Sequence, residues 1–476
     1  MKTLPRLVAL LAVALCASTS LAQSYKVERI KVPREIVLEV GGMGFWDDGT
    51  LVMCTRRGEV WLYKDGNFKQ WAFGLHEPLG LLPGKQNEIY VVQRGELSRI
   101  EDTDGDREAD VFETLTQSWG YTGNYHEYAF GLVRDKEGNF YGNLGLGFKN
   151  GGDEFKGRWL GSPMSVKYRG WVFKITPKGE FVPFASGLRA PNGIGMSPAG
   201  DIFTTDNQGS YIACGWLIHA TKGDFLGHPS GLRYDPRYKG QKPWEWSREK
   251  LLALRKRPAV FIPHGKLGSS TSEPTWDTTG GKFGPFAGQV LVGDVQQAKL
   301  NRVALEKVDG EFQGAVFPFI HGGGYGPGTT RTVFDKNGVL WVGQTGRGWA
   351  AGEGLQKITF TGKTPHMIHS MNLTKTGFRL TFTKPVKPEA ASTIGNYSLK
   401  HFEMNWHRGY GTRPSKQTQV TPTKAIVSPD GLQVELVLPE LATEKIYELN
   451  IAGLDATDGS KLEHPTAFYT LNRKVK

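Results

Sequence analysis

Cysteine is scarce: three occur in 476 residues, and only Cys54 and Cys214 lie outside the first two dozen positions. In an oxidising compartment the two could bridge, or each could pack as a buried free thiol. There is no Cys-x-x-Cys-His, which excludes covalently attached c-type haem. Also missing are Gly-x-Ser-x-Gly, His-Glu-x-x-His and a complete Gly-x4-Gly-Lys-Ser/Thr loop. Serine hydrolase, zinc protease and nucleotide-dependent chemistry therefore find no support. Past the N-terminus no apolar run is long enough to cross a membrane, so no transmembrane segment is expected. No long stretch carries helical periodicity. The basic residues are scattered rather than clustered, which argues against a nucleic-acid partner.

The N-terminus reads as a cleaved secretory signal over residues 1–22. Lys2 and Arg6 precede the apolar run Leu7–Cys16, and Ser20-Leu21-Ala22 precede Gln23. Leu15 stands where a lipoprotein signal requires a small residue before Cys16, so cleavage is expected rather than lipid anchoring. A secreted or periplasmic protein follows. Without Lys2 and Arg6 the formal charge of +11 falls to about +9, a balance suited to an anionic ligand or cofactor.

What the chain has is repetition. A turn, a Gly and an alternating strand recur six times between Gly42 and Thr361. The clearest copies are Asp47-Asp48-Gly49-Thr50-Leu51-Val52, Asp135-Lys136-Glu137-Gly138-Asn139-Phe140, Ser197-Pro198-Ala199-Gly200-Asp201-Ile202 and Asp335-Lys336-Asn337-Gly338-Val339-Leu340. Turn-strand units at this period are propeller blades, expected near 41–74, 75–118, 125–187, 188–262, 268–320 and 326–362. Residues 24–40 are expected to supply a strand that helps close the ring, and 233–258 an inserted surface excursion. Beyond Thr364-Pro365 the phrase stops. Phe378, Leu380 and Phe382, then Leu432, Val434, Leu436 and Leu438, then Tyr447, Leu449 and Ile451 alternate with polar residues. The fold class is thus all-β: a six-bladed β-propeller over 23–363, followed by a small immunoglobulin-like β-sandwich over 364–476.

Four stretches could carry chemistry. Asn124-Tyr125-His126-Glu127-Tyr128 precedes a blade's inner strand, where His126 could serve as a general base or simply hydrogen-bond into its loop. Gly187-Leu188-Arg189-Ala190-Pro191-Asn192-Gly193 is a fixed loop projecting Arg189 and Asn192. Asp206, Asn207 and Gln208 after it offer hard oxygen ligands, or ordinary turn chemistry. The Gly-rich run Gly322–Thr330 ends in Arg331, which should point at the axis. Finally, Asp102, Asp104, Asp106, Asp110 and Glu113 match a calcium loop in spacing. Arg107 stands where an EF-hand needs Gly, so the alternatives are a structural calcium on an outer loop and a solvated acidic turn.

At these residues the chain resembles the glucose/sorbosone dehydrogenase-like propellers. It resembles more closely the secreted proteins of planctomycetes and verrucomicrobia that carry the family label membrane-bound dehydrogenase. The motifs are Asn124–Gly131, Trp276–Gly288, Phe360–Pro365 and Ala467–Arg473. The resemblance implies pyrroloquinoline quinone (PQQ) across the funnel and calcium in support. It implies His126 as the base for a sugar hydroxyl, Arg189 and Asn192 on the cofactor, Arg331 as a second cation, and Asp206 and Asn207 near the calcium. Ala190 stands where the dehydrogenases usually have Asn, and Tyr125 where they commonly have Asp. The implied electron acceptor is a separate protein such as a cytochrome, the implied substrate a sugar or glycan-derived small molecule. Two other readings stay open. One is a calcium-dependent lactonase, drawn from Pro191-Asn192-Gly193 and Asp206. The other is a non-catalytic carbohydrate-binding propeller, with Asn405–Gly411 able to stack on sugars.

Overall fold

The computed structural model describes residues 23–147, 166–346, 350 and 352–476, so the expected signal over 1–22 lies outside the described residues. The repeated phrase turns out to be one chemical device. In each clear copy a polar side chain opens the turn and accepts a backbone N–H two to four residues on. Asp48 accepts from Thr50 at 2.9 Å, Asp135 from Asn139 at 2.8 Å, Ser197 from Asp201 at 3.0 Å and Asp335 from Val339 at 3.0 Å. The Gly of each phrase takes a left-handed φ, 83° at Gly49 and 85° at Gly138. The result joins the first strand of a sheet to its second.

Six four-stranded antiparallel units follow in chain order. Their innermost strands are Val40–Phe45, Gly80–Pro83, Ala129–Arg134, Pro191–Met196, Thr271–Trp276 and Thr329–Phe334. Each packs on the next, and the sixth packs on the first, closing a ring of the propeller type. Glycine permits the approach: a Cβ on Gly80 would stand 1.8 Å from the Gly131 carbonyl oxygen, and one on Gly193 2.1 Å from Glu273 Cβ. The ring is sealed by its own ends. The N-terminal strand Tyr25–Arg29 pairs antiparallel with Gly354–Phe360, Tyr25 opposite Phe360, and becomes the outer strand of the sixth sheet.

The expected excursion is present between Gly215–Ala220 and Val260–Ile262 of the fourth sheet. It contains three 3-10 turns and one short helix, Arg248–Leu254. Cys54 and Cys214 are both buried and free, which settles the choice left open by the sequence. Burial pushes the Cys54 thiol up to about 12.

Beyond residue 364 two further sheets face each other across one core. The first runs Ile368–Leu373, Gly377–Phe382, Gln433–Val437, Lys424–Val427. The second runs Thr466–Leu471, Lys445–Ile451, Tyr397–Glu403, Ser415–Val420, and it is not separate from the propeller. Thr466–Leu471 pairs with Glu311–His321, the outermost strand of the fifth propeller sheet, through Gly314–Thr470, Ala315–Tyr469 and Val316–Phe468. One eight-stranded sheet therefore crosses the boundary at Thr364-Pro365. The core between the sheets is correspondingly shared: Ala304, Ala315 and Phe317 of the fifth sheet pack with Phe378, Leu380, Leu436, Tyr447 and Tyr469.

Tyr25 concentrates the ring closure. It is buried, its hydroxyl donates to the Phe283 carbonyl oxygen at 3.0 Å, and its ring meets Phe283, Phe319 and Phe360. Tyr25→Ala should cost about 3–5 kcal/mol in chemical denaturation, the range for emptying a large aromatic site. An unchanged denaturation midpoint would mean that closure does not depend on this strand.

Candidate functional site

Antiparallel alternation sends the connections between sheets, and the turns from second to third strand, to the same face of the ring. There they surround a cavity of about 630 Å³ at the axis. The connections contribute Leu79, Tyr125, His126 and Tyr128, Arg189 to Asn192, His264 with Ser269 and Ser270, and Thr330. The turns contribute Arg56, Asn207 and Gln208, Gln296 and Thr345. Of the residues singled out by sequence, His126, Arg189, Asn192 and Asn207 are thus brought together.

Each is held from behind. The His126 loop is clamped by two arginines acting on its carbonyls. Buried Arg169 donates to the Gly120 and Tyr128 oxygens, at 2.9 Å each, and Arg94 bonds the Asn124 oxygen while paired with Glu77. Within the loop, Asn124 Oδ1 accepts the His126 N–H at 2.9 Å, and buried Glu127 accepts from the Thr122 hydroxyl at 3.0 Å. Tyr125 meets the imidazole edge-on at 4.4 Å.

The Arg189 loop depends on Asp206, whose placement corrects its expected role as a metal ligand. Asp206 is fully buried and absent from the cavity wall. Its carboxylate accepts the backbone N–H groups of Arg189 (2.7 Å), Ala190 (2.8 Å) and Asn207 (2.8 Å). Burial still pushes its pKa up to about 6. The Asp is the staple that aims Arg189, not a group facing the ligand. Asn207 does reach the wall, donating to the Ala190 oxygen at 2.9 Å and accepting from Ser270 at 3.1 Å. Asn192 donates to the Thr271 oxygen at 3.1 Å.

Arg331 points at the axis, as its position requires, but below the cavity rather than in its wall. Its guanidinium donates to the carbonyl oxygens of Leu79 (2.6 Å), Asn192 (2.7 Å) and Thr330 (2.7 Å), and lies 3.4 Å from the Glu273 carboxylate. The Phe130 ring, which lines the cavity, packs on it with the guanidinium carbon 5.4 Å from the ring centre. Arg331 and Glu273 face a second cavity of about 490 Å³, walled by the innermost strands of all six sheets. The expected second cation is therefore a plug between two chambers. Burial lowers the Arg331 pKa and pushes that of Glu273 up to about 7.

The chemistry of the upper cavity is one-sided. Among the described residues its wall holds two guanidiniums, two imidazoles and four side-chain amides, and no carboxylate. Arg56 is balanced from outside the wall by Glu39 at 2.9 Å. Arg189 lies under the Tyr410 ring, 5.1 Å from its centre. The sequence did not point to Arg56, which follows the second strand of the first sheet in the turn Thr55-Arg56-Arg57-Gly58 and carries no motif. His264, which likewise carries no motif, also stands at the wall.

The acidic loop lies elsewhere. It joins the third strand of the second sheet, Leu97–Glu101, to the fourth, Val111–Thr116, and so opens on the opposite face from the funnel. Ligand atoms of Asp102, Asp104 and Asp106 converge within 4.8 Å of one another. Asp110 accepts from the Thr103 hydroxyl at 2.7 Å. Glu113 departs from the expected set: it accepts from Arg99 Nε at 2.7 Å, directly opposite on the neighbouring strand.

No family model matches the chain, and no curated protein matches it. Solved structures do. A protein of Thermus thermophilus described as an oxidoreductase (glucose dehydrogenase) aligns at a TM-score of 0.52 and 16% identity, over 70% of this chain and 99% of its own. The holo PQQ domain of pyranose dehydrogenase from Coprinopsis cinerea aligns at 0.52 and 13%, over 70% and 95%. The apo soluble aldose sugar dehydrogenase of Escherichia coli aligns at 0.50 and 16%, over 71% and 99%. What is shared is the fold.

The plug and the acidic loop can each be tested. The folded-state pKa of Glu273 lies above its ordinary 4.5, at about 7, so the folded protein holds a proton that the unfolded chain releases. That contribution to stability is full below about pH 4.5 and is lost as pH rises through about 7. Glu273→Gln should flatten the decline in urea midpoint across this window; an equal slope in the variant would place the titration elsewhere. Calcium should raise the melting temperature of the wild type, and Asp104→Ala should abolish that shift. If neither chelator nor mutation changes the melting temperature, the loop binds no stabilising ion.

Proposed function

We propose that the protein is an exported, quinone-dependent oxidoreductase that oxidises a sugar or a sugar-derived alcohol or aldehyde. Electrons then pass to a separate acceptor such as a cytochrome. The observation that carries the reading is the upper cavity: a deep site on a propeller axis, cationic and amide-lined, with His126 in its wall and no carboxylate among the described lining residues. PQQ is a flat polycarboxylate and fits this donor set. Arg189 would meet a carboxylate or carbonyl through its planar fork, and Asn192, Asn207 and Gln208 would orient the ring system. Bound, the quinone would supply a two-electron acceptor. His126 would take the proton of the substrate hydroxyl, in a loop whose backbone is already fixed by Arg94 and Arg169. Support of a different kind is the shared fold with dehydrogenase structures, one of them a PQQ domain in its holo form.

The resemblance to the planctomycete and verrucomicrobial subgroup rests on the sequence motifs alone, as does export through residues 1–22. No described helix is long and apolar enough to cross a membrane. We read 364–476 as the immunoglobulin-like sandwich, supported by its two facing sheets. A metal-dependent lactonase is the weaker reading: Asp206 spends its oxygens on backbone N–H groups, and calcium is better placed at the acidic loop. A saccharide-binding propeller without turnover is the second reading, favoured by the exposed rings of Tyr125 and Tyr410 at the cavity.

Equilibrium binding of PQQ to the protein, with and without calcium, tests the proposal, followed by aldose oxidation with a dye acceptor. Tight quinone binding with dye reduction is expected. His126→Ala should lower turnover by about 100- to 10,000-fold while leaving quinone affinity intact. Absence of quinone binding sinks the dehydrogenase reading, and retained turnover in the variant sinks His126 as the base.

A further inference from the structure

The connection over 404–414 joins Tyr397–Glu403 to Ser415–Val420, neighbours in the C-terminal sheet. Adjacent antiparallel strands need only a short turn. This connection instead leaves its sheet and docks on the propeller. Trp406 is buried against Tyr211, ring centres 4.8 Å apart, in a cluster with Phe225, Leu232 and Leu251. Arg248 Nε donates to the Trp406 carbonyl oxygen at 3.0 Å. Three backbone bonds to the turn after the second strand of the fourth sheet complete the seat: Tyr211 N–H to the His407 oxygen (2.9 Å), Gly411 N–H to the Gly209 oxygen (3.0 Å) and Thr412 N–H to the Ala213 oxygen (2.9 Å). Gly411, at φ +59°, passes so close that a Cβ would stand 2.5 Å from the Gln208 side chain.

Between these anchors sits Tyr410. Its ring lies on the Arg189 guanidinium, lines the cavity, and is nevertheless 63% exposed. A large aromatic ring held open on a rigid backbone, at the mouth of a deep site, gains nothing for the fold from its free face. That face, turned to the open mouth of the cavity, suits the C–H side of a pyranose. We propose that Tyr410 is a saccharide-stacking residue of the funnel, and that the C-terminal part of the chain is thereby a piece of the substrate site. This rests on reading the cavity as a sugar site.

The test is calorimetric titration of the whole protein with glucose, xylose, cellobiose and maltotriose, alongside PQQ. Wild type should bind at least one sugar. Tyr410→Phe keeps the ring face and should bind it equally, Tyr410→Leu keeps bulk without the face and should bind about tenfold more weakly, and Tyr410→Trp should bind at least as well as wild type. PQQ affinity and melting temperature should not move. Sugar binding that ignores Tyr410→Leu overturns the assignment and leaves the sugar site standing. A parallel loss of quinone affinity overturns it too, by making the ring a cofactor contact. Weaker sugar binding by Tyr410→Trp also counts against it, even should Tyr410→Leu fail to fold. No binding of any of the four sugars to wild type overturns both the assignment and the sugar site.

Discussion

One guanidinium organises the centre of this molecule. Arg331 gathers carbonyl oxygens at or just before the innermost strands of the second, fourth and sixth sheets: those of Leu79, Asn192 and Thr330. A ring of strands converging on an axis leaves inward carbonyls with no ladder partner, and buried acceptors are costly when unmet. A planar cation with five donors is well shaped to satisfy several at once. Glu273 supplies the balancing carboxyl. The consequence is architectural. The axis is blocked, so the upper cavity has a floor, and Phe130 can lie between the plug and whatever the cavity holds.

The parts legible in sequence were those written in local chemistry. The turn phrase announced six sheets because an opening Asp or Ser and a positive-φ Gly leave little freedom at that point of the chain. His126, Arg189 and Asn192 were legible as loop residues at the starts of inner strands, which is where a ring collects its funnel. Depth and direction were not legible. Arg331 was rightly aimed at the axis, but strand alternation says only in or out, never how far down. Asp206 could not be told from a ligand, because an Asp that accepts backbone N–H groups and one that accepts a cation differ only in which way the loop folds back. Glu113 kept calcium-loop spacing, yet pairing put Arg99 opposite it, and the nearer cation prevailed. The edge pairing of Gly314 with Thr470 was invisible because it joins segments far apart in the chain.

The donor set narrows the chemistry more than the fold does. A propeller is a scaffold for many activities, so the wall of the cavity has to carry the argument. Guanidinium, imidazole and amide groups without a lining carboxylate, among the described residues, stabilise negative charge and leave a bare divalent ion poorly served. An organic anion with planar carboxylates reverses both statements. The acidic groups that this chain does cluster are on the far face, where they can tie a turn but cannot reach a substrate.

The C-terminal sheets then bear on the site in two ways. By continuing the fifth sheet through Thr466–Leu471 they are fixed in orientation to the propeller by backbone hydrogen bonds rather than by a linker. Because that orientation is fixed, a connection of the same sheets can be long and still arrive at a defined place, over Arg189. A tethered module on a flexible hinge would lose that placement to the entropy of the hinge. The shared sheet and the docked loop are therefore one arrangement: the first makes the second accurate, and the second gives the first a bearing on the funnel.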